Sequence, residues 1–282
     1  MSAPADASGR IALLLFSKPP LPGLVKTRLS VLKDGVFSPE DAAYLFHCML
    51  FDVVETCCKG LDGLEACGDL PPVDILISTT PRENLPVMRG FFEDAGTWPR
   101  PLEFLYDEGA SFDEHYNHAF SQVWERGYDA VLSMGADMPA LTTDDIERGI
   151  RALARLLEAG KPGMVLAPDQ ELGVSIVGWT RQTPMTHDGV FYNKDGITVL
   201  PAYIAKAREA GLPAIYLPPV PDVDTMMDLY HNVTLVEALM YTSDFEYAAR
   251  PYRTAAALDY VGLSEVRIPP NDLHDDRDTI DK

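Results

Sequence analysis

Six short apolar runs, separated by loops and helical patterns, constrain this chain more than any other feature. In Ile11–Phe16 (Ile-Ala-Leu-Leu-Leu-Phe) no polar residue interrupts the run. A strand with one solvated face alternates polar and apolar residues, so an unbroken run marks a strand buried on both faces. Comparable runs recur at Val73–Ser78, Asp129–Met134, Met164–Ala167, Ser175–Trp179 and Ala214–Leu217. Helical patterns lie between them. Ser38-Pro39-Glu40 opens one in the N-cap, N1 manner, with its end expected near Lys59. Thr142 and Asp145 form a capping-box pattern ahead of Ile146, Ile150, Leu153 and Leu157, which share one face. Further helices are expected near Asn84–Asp94, Phe112–Glu125, Gly196–Ala210 and Met226–Met240. Strands alternating with helices predict an α/β domain around a mostly parallel sheet.

After about Tyr241 the rhythm changes. Asp244–Leu258 has the pattern of one more helix, and Val266–Lys282 that of a polar, acidic tail. The expected organisation is one domain over residues 10–241, followed by a C-terminal helical extension and tail over 242–282. The Asp244–Leu258 helix is a candidate homodimer interface. With 23 Lys+Arg against 43 Asp+Glu the net charge is −20, which repels duplex nucleic acid and anionic lipid, so neither is an expected partner. No apolar run reaches the roughly 18–20 residues of a membrane span. Met1–Arg10 has no basic start ahead of an apolar stretch, and a cytoplasmic protein is expected. Cys48, Cys57, Cys58 and Cys67 are spaced for neither a zinc ribbon nor a small disulfide scaffold, so free thiols are expected.

In open α/β sheets ligands bind beyond the carboxyl ends of the strands. After the first run comes Ser17-Lys18-Pro19-Pro20-Leu21-Pro22-Gly23-Leu24-Val25-Lys26-Thr27-Arg28-Leu29. Its prolines and glycine preset a rigid loop carrying Lys18, Lys26 and Arg28. From Ala7 to Lys33 there are five basic residues and no acid, in a chain otherwise dominated by carboxylates. Such cations suit phosphate oxygens, although a solvated basic loop accounts for them too. After Val131–Met134 comes Gly135-Ala136-Asp137-Met138-Pro139, where Asp137 is placed either to bind Mg²⁺ or Mn²⁺ or to cap a turn. After Ala214–Leu217 comes Pro221-Asp222-Val223-Asp224-Thr225-Met226-Met227-Asp228-Leu229. Thr225 and Asp228 form a second capping-box pattern, and Asp224 is the better candidate for a second metal ligand. His115 and His118 have the spacing of ordinary residues on an amphipathic helix, and no spacing argument gives His187 a catalytic role. No Ser-His-Asp or Cys-His nucleophile arrangement is present.

Lys-Pro-Pro-x-Pro-Gly-x-x-Lys-Thr-Arg-Leu, Gly-Ala-Asp-Met-Pro and Asp-Val-Asp-Thr-x-x-Asp-Leu follow one another in order. Together they resemble the GT-A-like nucleotide-diphospho-sugar transferase superfamily over roughly Ile11–Tyr241. Within it the chain is most similar to the radical-SAM/selenodomain-associated transferase family, also labelled uncharacterised glycosyltransferase A. The likeness to phospholactate guanylyltransferases and molybdenum-cofactor nucleotidyltransferases is more distant. The resemblance implies a three-layer Rossmann-like GT-A fold and a divalent metal, Mg²⁺ or Mn²⁺. It implies phosphate contacts from Lys18, Gly23, Lys26 and Arg28, metal ligation by Asp137 and Asp224, and catalytic roles for Asp137 and Lys26.

Two departures fall on the acceptor side. The family usually has Asp-Gly-Gly-Tyr where this chain has Glu171-Leu172-Gly173-Val174, so Glu171 is the carboxylate available and Leu172 replaces a backbone-permissive glycine. Where the family tends to carry Gly-Glu-Arg, this chain has Asp113-Glu114-His115, keeping Glu114 and losing the arginine. The expected partners are a nucleotide and a small-molecule acceptor. Three basic residues suit a triphosphate, and a lone strand-end aspartate in place of Asp-x-Asp points the same way, giving a slight preference for nucleotidyl over glycosyl transfer. A degenerate, non-catalytic nucleotide binder is the remaining alternative.

Overall fold

The computed structural model describes residues 9–68, 70–245 and 249–266. The acidic tail expected beyond residue 266 lies outside the described residues. Seven strands form one sheet: β1 (Ile11–Phe16), β2 (Val73–Thr79), β3 (Leu102–Tyr106), β4 (Ala130–Met134), β5 (Met164–Pro168), β6 (Val174–Thr180) and β7 (Ala214–Tyr216). Their order is β3-β2-β1-β4-β6-β5-β7. All pairings are parallel except those of β6, which runs antiparallel to both β4 and β5. The sheet is mostly parallel, as the alternating pattern predicts. Strands β1, β2 and β3 build outward one way while β4 starts on the other side of β1, so the topological switch point lies between β1 and β4.

The unbroken run in β1 is explained by burial on two faces. Ile11, Leu13 and Leu15 enter one core with α1 (Pro39–Cys67), α2 (Leu85–Asp94) and α4 (Thr143–Glu158). Ala12 and Leu14 enter another with α3 (Phe112–Glu125) and α5 (Val199–Glu209). Helices on both faces of the sheet make the three layers. The helix expected to stop near Lys59 continues to Cys67, because Cys57, Leu61 and Leu64 keep its buried face intact past Gly60. Tertiary burial overrides the poor helix propensity of glycine here. Ser38 caps α1, and complete capping boxes close at Thr142–Asp145 and at Thr225–Asp228, the latter opening α6 (Met226–Thr242).

Strand β3 is absent from the apolar runs because it is an edge strand. Leu-Glu-Phe-Leu-Tyr follows Pro99-Arg100-Pro101, and only Leu105 is fully buried. The helix expected over Asp244–Leu258 forms later, as α7 (Tyr252–Tyr260). It docks on α1 and α6 through Leu258, Ala257, Leu45, Met49 and Val233. Asp52 of α1 secures it: its buried carboxylate accepts the Thr254 N–H at 2.7 Å and the Arg253 guanidinium at 3.1 Å. All four cysteines are free, with Cys48, Cys57 and Cys58 buried and Cys67 exposed. Among the described residues no helix is long and apolar enough to cross a membrane.

Candidate active site at the carboxyl ends of the strands

A cleft of about 460 Å³ opens over the switch point. Its floor comes from the carboxyl ends of β1, β2 and β4, and its walls from α3 and the loops before and after β6. Ser17 and Lys18 leave β1 directly into it. The loop then turns through Gly23 at φ +74°, and Lys26 follows at φ +45°. The left-handed region costs a non-glycine residue about 1–2 kcal/mol. A residue held there is fixed by its surroundings.

Those surroundings are the two aspartates singled out in the sequence. The Lys26 ammonium donates to Asp137 Oδ2, to the carbonyl oxygen of Val223, and to Asp224 Oδ1 at 3.3 Å. Val223 in turn donates its N–H to the Asp137 carbonyl at 3.0 Å. Three loops far apart in the chain thus close on one ammonium, whose side chain is only 7% exposed. Burial pulls the lysine pKa down, but the charges of Asp137 and Asp224 and the bond to Asp137 outweigh it and leave it raised. Arg28 sits at the exposed mouth, 3.2 Å from Asp224 Oδ2, and Lys18 is exposed on the cleft wall.

Carboxylates outnumber cations in the cleft. Asp107, Asp137, Asp169, Asp222 and Asp224 line it, against Lys18 and Lys26. Asp222 is pushed up to about 7, first by burial and then by Asp137, Asp224 and Asp169, against the pull of the Gln170 amide. Gln170 organises this corner, donating to Asp222 Oδ1 at 3.0 Å and to Asp228 Oδ1 at 2.8 Å. Asp228 is the capping carboxylate of α6, as its spacing from Thr225 predicts.

The structure distributes the residues expected on an acceptor side differently from their order in the motifs. Glu171 is exposed, and the cleft-lining carboxylate of its turn is Asp169, which sequence reasoning missed. Asp169 Oδ1 accepts the N–H groups of Glu171 at 2.6 Å and Gly173 at 2.8 Å. A Cβ at Gly173 would lie 2.0 Å from Asp169 Oδ2, so this closure requires glycine. Leu172 carries φ +66°, as expected of a residue standing where glycine is the usual choice. Glu114 lies outside the cleft lining and accepts the Ala110 N–H at 2.6 Å. Asp113 accepts the N–H groups of Gly189 and Phe191 at 2.8 Å each, pinning the loop after β6.

His115, His118 and His187 fall into three environments. His118 accepts the Glu108 N–H at 3.0 Å, an ordinary helix-surface role. His187 is fully buried, bonded through Nδ1 to the Tyr203 hydroxyl at 2.6 Å, and burial pushes it down to about 3. His115, set aside with His118 on spacing, lines the cleft. Beside it Phe16 and Tyr116 stack with centroids 3.8 Å apart, and Phe112, Phe191 and Tyr192 extend an aromatic wall.

The seven-stranded, mostly parallel sheet with helices on both faces is similar to the folds of nucleotide-sugar transferases. A protein from Desulfovibrio desulfuricans G20, named for nucleotide-diphospho-sugar transfer, aligns at TM-score 0.64 and 23% identity, covering 89% of this chain and 96% of that one. A cytidylyltransferase from Leptospira borgpetersenii serovar Hardjo-bovis aligns at TM-score 0.44 and 11% identity, over 93% and 98%. CMP:2-keto-3-deoxy-manno-octonic acid synthetase in complex with CTP aligns at TM-score 0.42 and 11% identity, over 82% and 99%. Residues 64–194 match the model of the family described as "Uncharacterized protein conserved in bacteria (DUF2064)". No curated protein matches the chain in sequence.

Proposed function

We propose that the chain is a divalent-metal-dependent nucleotidyltransferase, moving a nucleoside monophosphate from a nucleoside triphosphate to a small acceptor. The observation that carries this reading is the convergence of Lys26, Asp137 and Asp224 from three loops over the switch point. The order of the three motifs supports a place near the radical-SAM/selenodomain-associated transferases. Lys18 and Lys26 are positioned for the phosphate chain, with Arg28 at its solvent end.

The residues fit a metal. Asp137 and Asp224 already share one cation, the Lys26 ammonium, so their oxygens lie within one cation's reach. Asp222 is raised first by burial and then by Asp137, Asp224 and Asp169, and the carboxylate part of that rise is a charge imbalance a second cation relieves. Among the described residues no cluster of three or more His, Cys, Asp or Glu forms a ready-made cage. Two carboxylates plus substrate phosphates suit Mg²⁺ or Mn²⁺, which rarely use all-protein cages. Asp137 and Asp224 would hold the metal, which when bound would supply positive charge to stabilise the leaving pyrophosphate. Lys26 would then exchange Asp137 for phosphate oxygens, holding the chain in line for attack at the α-phosphorus.

Incubation with Mg²⁺ and each nucleoside triphosphate or nucleotide-sugar tests the reading. Pyrophosphate release that disappears in Asp137→Ala supports nucleotidyl transfer, and nucleoside diphosphate release shows glycosyl transfer instead. Nucleotide binding without turnover in either form shows a non-catalytic binder. Failure of both nucleotide classes to bind with Mn²⁺ present refutes the proposal.

A further inference from the structure

We infer that His115, oriented by the buried Asp107, is the general base of the reaction, and that the acceptor is an uncharged hydroxyl compound. The inference rests on the nucleotidyltransferase reading and names the acceptor class it left open. His115 Nδ1 lies 2.8 Å from Asp107 Oδ1, and the other Asp107 oxygen accepts the Ser78 hydroxyl at 2.7 Å. Asp107 also donates its backbone N–H to the Thr79 carbonyl at 3.0 Å, fixing it at the end of β3. The Asp107 side chain is 4% exposed and that of His115 is 24% exposed. A carboxylate on one ring nitrogen sets both the tautomer and the ring's orientation. With Nδ1–H committed to Asp107, Nε2 carries the lone pair, and among the described residues no hydrogen-bond partner occupies it. Both residues line the cleft that holds Lys26 and Asp137.

The arrangement discriminates between acceptors. A phosphate oxygen is already an anion at neutral pH and has no proton to lose. A hydroxyl must lose one as its oxygen attacks, so a base poised at the site has a use only for the second class. Charge agrees with this. Lys18 and Lys26 are the lysines and arginines among the described residues lining the cleft, beside Asp107 and the rings of Phe112, Tyr116 and Tyr192. With both lysines serving the nucleotide's phosphates, a second polyanion finds no further lining cation among the described residues. A ring or polyol bearing hydroxyls can pack its C–H face on the aromatic wall. In the step, the acceptor oxygen forms a bond to the α-phosphorus as the bond to the bridging oxygen of pyrophosphate breaks. The bonding pair leaves with pyrophosphate, and the hydroxyl proton passes to His115 Nε2.

Two measurements test this separately from the nucleotide reading. Nitrogen-15 NMR of the free protein at pH 8 should show His115 protonated at Nδ1 and bare at Nε2, a state lost in Asp107→Asn. The opposite tautomer, or one unchanged in Asp107→Asn, overturns the dyad, and neither result needs a nucleotide. Pyrophosphate release from Mg²⁺ complexes of the four nucleoside triphosphates is then followed with methanol, glycerol, inositol and glucose as acceptors, against glucose 1-phosphate and glycerol 3-phosphate. Hydroxyl acceptors should be used, with kcat in His115→Ala reduced about 100-fold or more. Nucleotide Kd should change less than twofold, and added imidazole should restore part of the rate. A rate in His115→Ala equal to wild type overturns the assignment. So does a loss without imidazole rescue, a rise in nucleotide Kd accounting for the loss, use of the phosphate moieties as acceptors, or nucleotide binding with no transfer to any alcohol. Absence of nucleotide binding instead defeats the nucleotidyltransferase reading, with the tautomer still deciding the dyad.

Discussion

Replacing Lys26 by methionine removes the ammonium that joins three loops while keeping the length of its apolar stem. The ammonium lies 3.3 Å from Asp224 Oδ1 and closer to Asp137 Oδ2, with Asp224 more than half exposed and Asp137 largely shielded. At an effective dielectric near 20, each contact has a gross Coulomb energy of about 5 kcal/mol. Solvent reduces the Asp224 share below about 1 kcal/mol. Breaking the shielded half strands Asp137 beside Asp222 and costs about 3 kcal/mol. For a domain of this size that corresponds to a fall in Tm of roughly 6–10 °C in the presence of EDTA. Mn²⁺ has the opposite effect on the variant. In the wild type the metal competes with a resident cation, whereas in Lys26→Met it meets two uncompensated carboxylates. Without nucleotide, Mn²⁺ should bind the variant at least about tenfold more tightly, a gain of about 1.4 kcal/mol, and recover most of the lost Tm. Thermal unfolding with and without metal, alongside electron paramagnetic resonance of free Mn²⁺, reads both effects. A variant as stable as wild type in EDTA, or one binding Mn²⁺ no more tightly, would refute the counter-ion argument.

Two further predictions concern stability. Leu172→Gly relieves a left-handed residue that is 55% exposed, so little burial is lost, and Tm should rise by a few degrees, about 0.5–1 kcal/mol; a fall in Tm on thermal unfolding would show that Leu172 packs usefully. His187 is depressed to about 3 when folded, so between pH 3 and its unfolded value of about 6.5 the unfolded chain binds the extra proton. Stability from this group is therefore present above pH 6.5 and lost as pH falls, by about 2 kcal/mol at pH 5. His187→Phe should flatten that share of the acid loss in urea titrations at pH 7.5 and 5, and an unchanged acid loss contradicts the assignment.

What the sequence made legible follows from where each residue sits relative to water. Strands β1 and β4 are buried on both faces, so their runs are unbroken, and the carboxylate following β4 stands out. Strand β3 has a free edge and only one fully buried side chain, so it carries no such signal. Because β3 is not visible as a strand, Asp107 at its end is not visible as a strand-end carboxylate, and His115 looks like a surface histidine without it. The basic loop and Asp224 are legible because charge and order survive in one dimension. The exchange of Glu171 for Asp169 is not, because which carboxylate enters the cleft depends on how Gly173 lets the turn fold back.

The attachment of α7 has a consequence for how the chain can be divided. Composition changes near residue 241, which invites a cut there. Yet Asp52, on the first long helix, spends its carboxylate on Thr254 and Arg253, about two hundred positions later. A chain ended at residue 241 would keep that acid, lose its donors, and open to water the apolar face around Leu45 and Met49 that α7 covers. The last described helix thus behaves as the closing member of the first layer. Engineering that attaches a tag or a second protein should therefore keep Tyr252–Tyr260 intact and not cut at the compositional break.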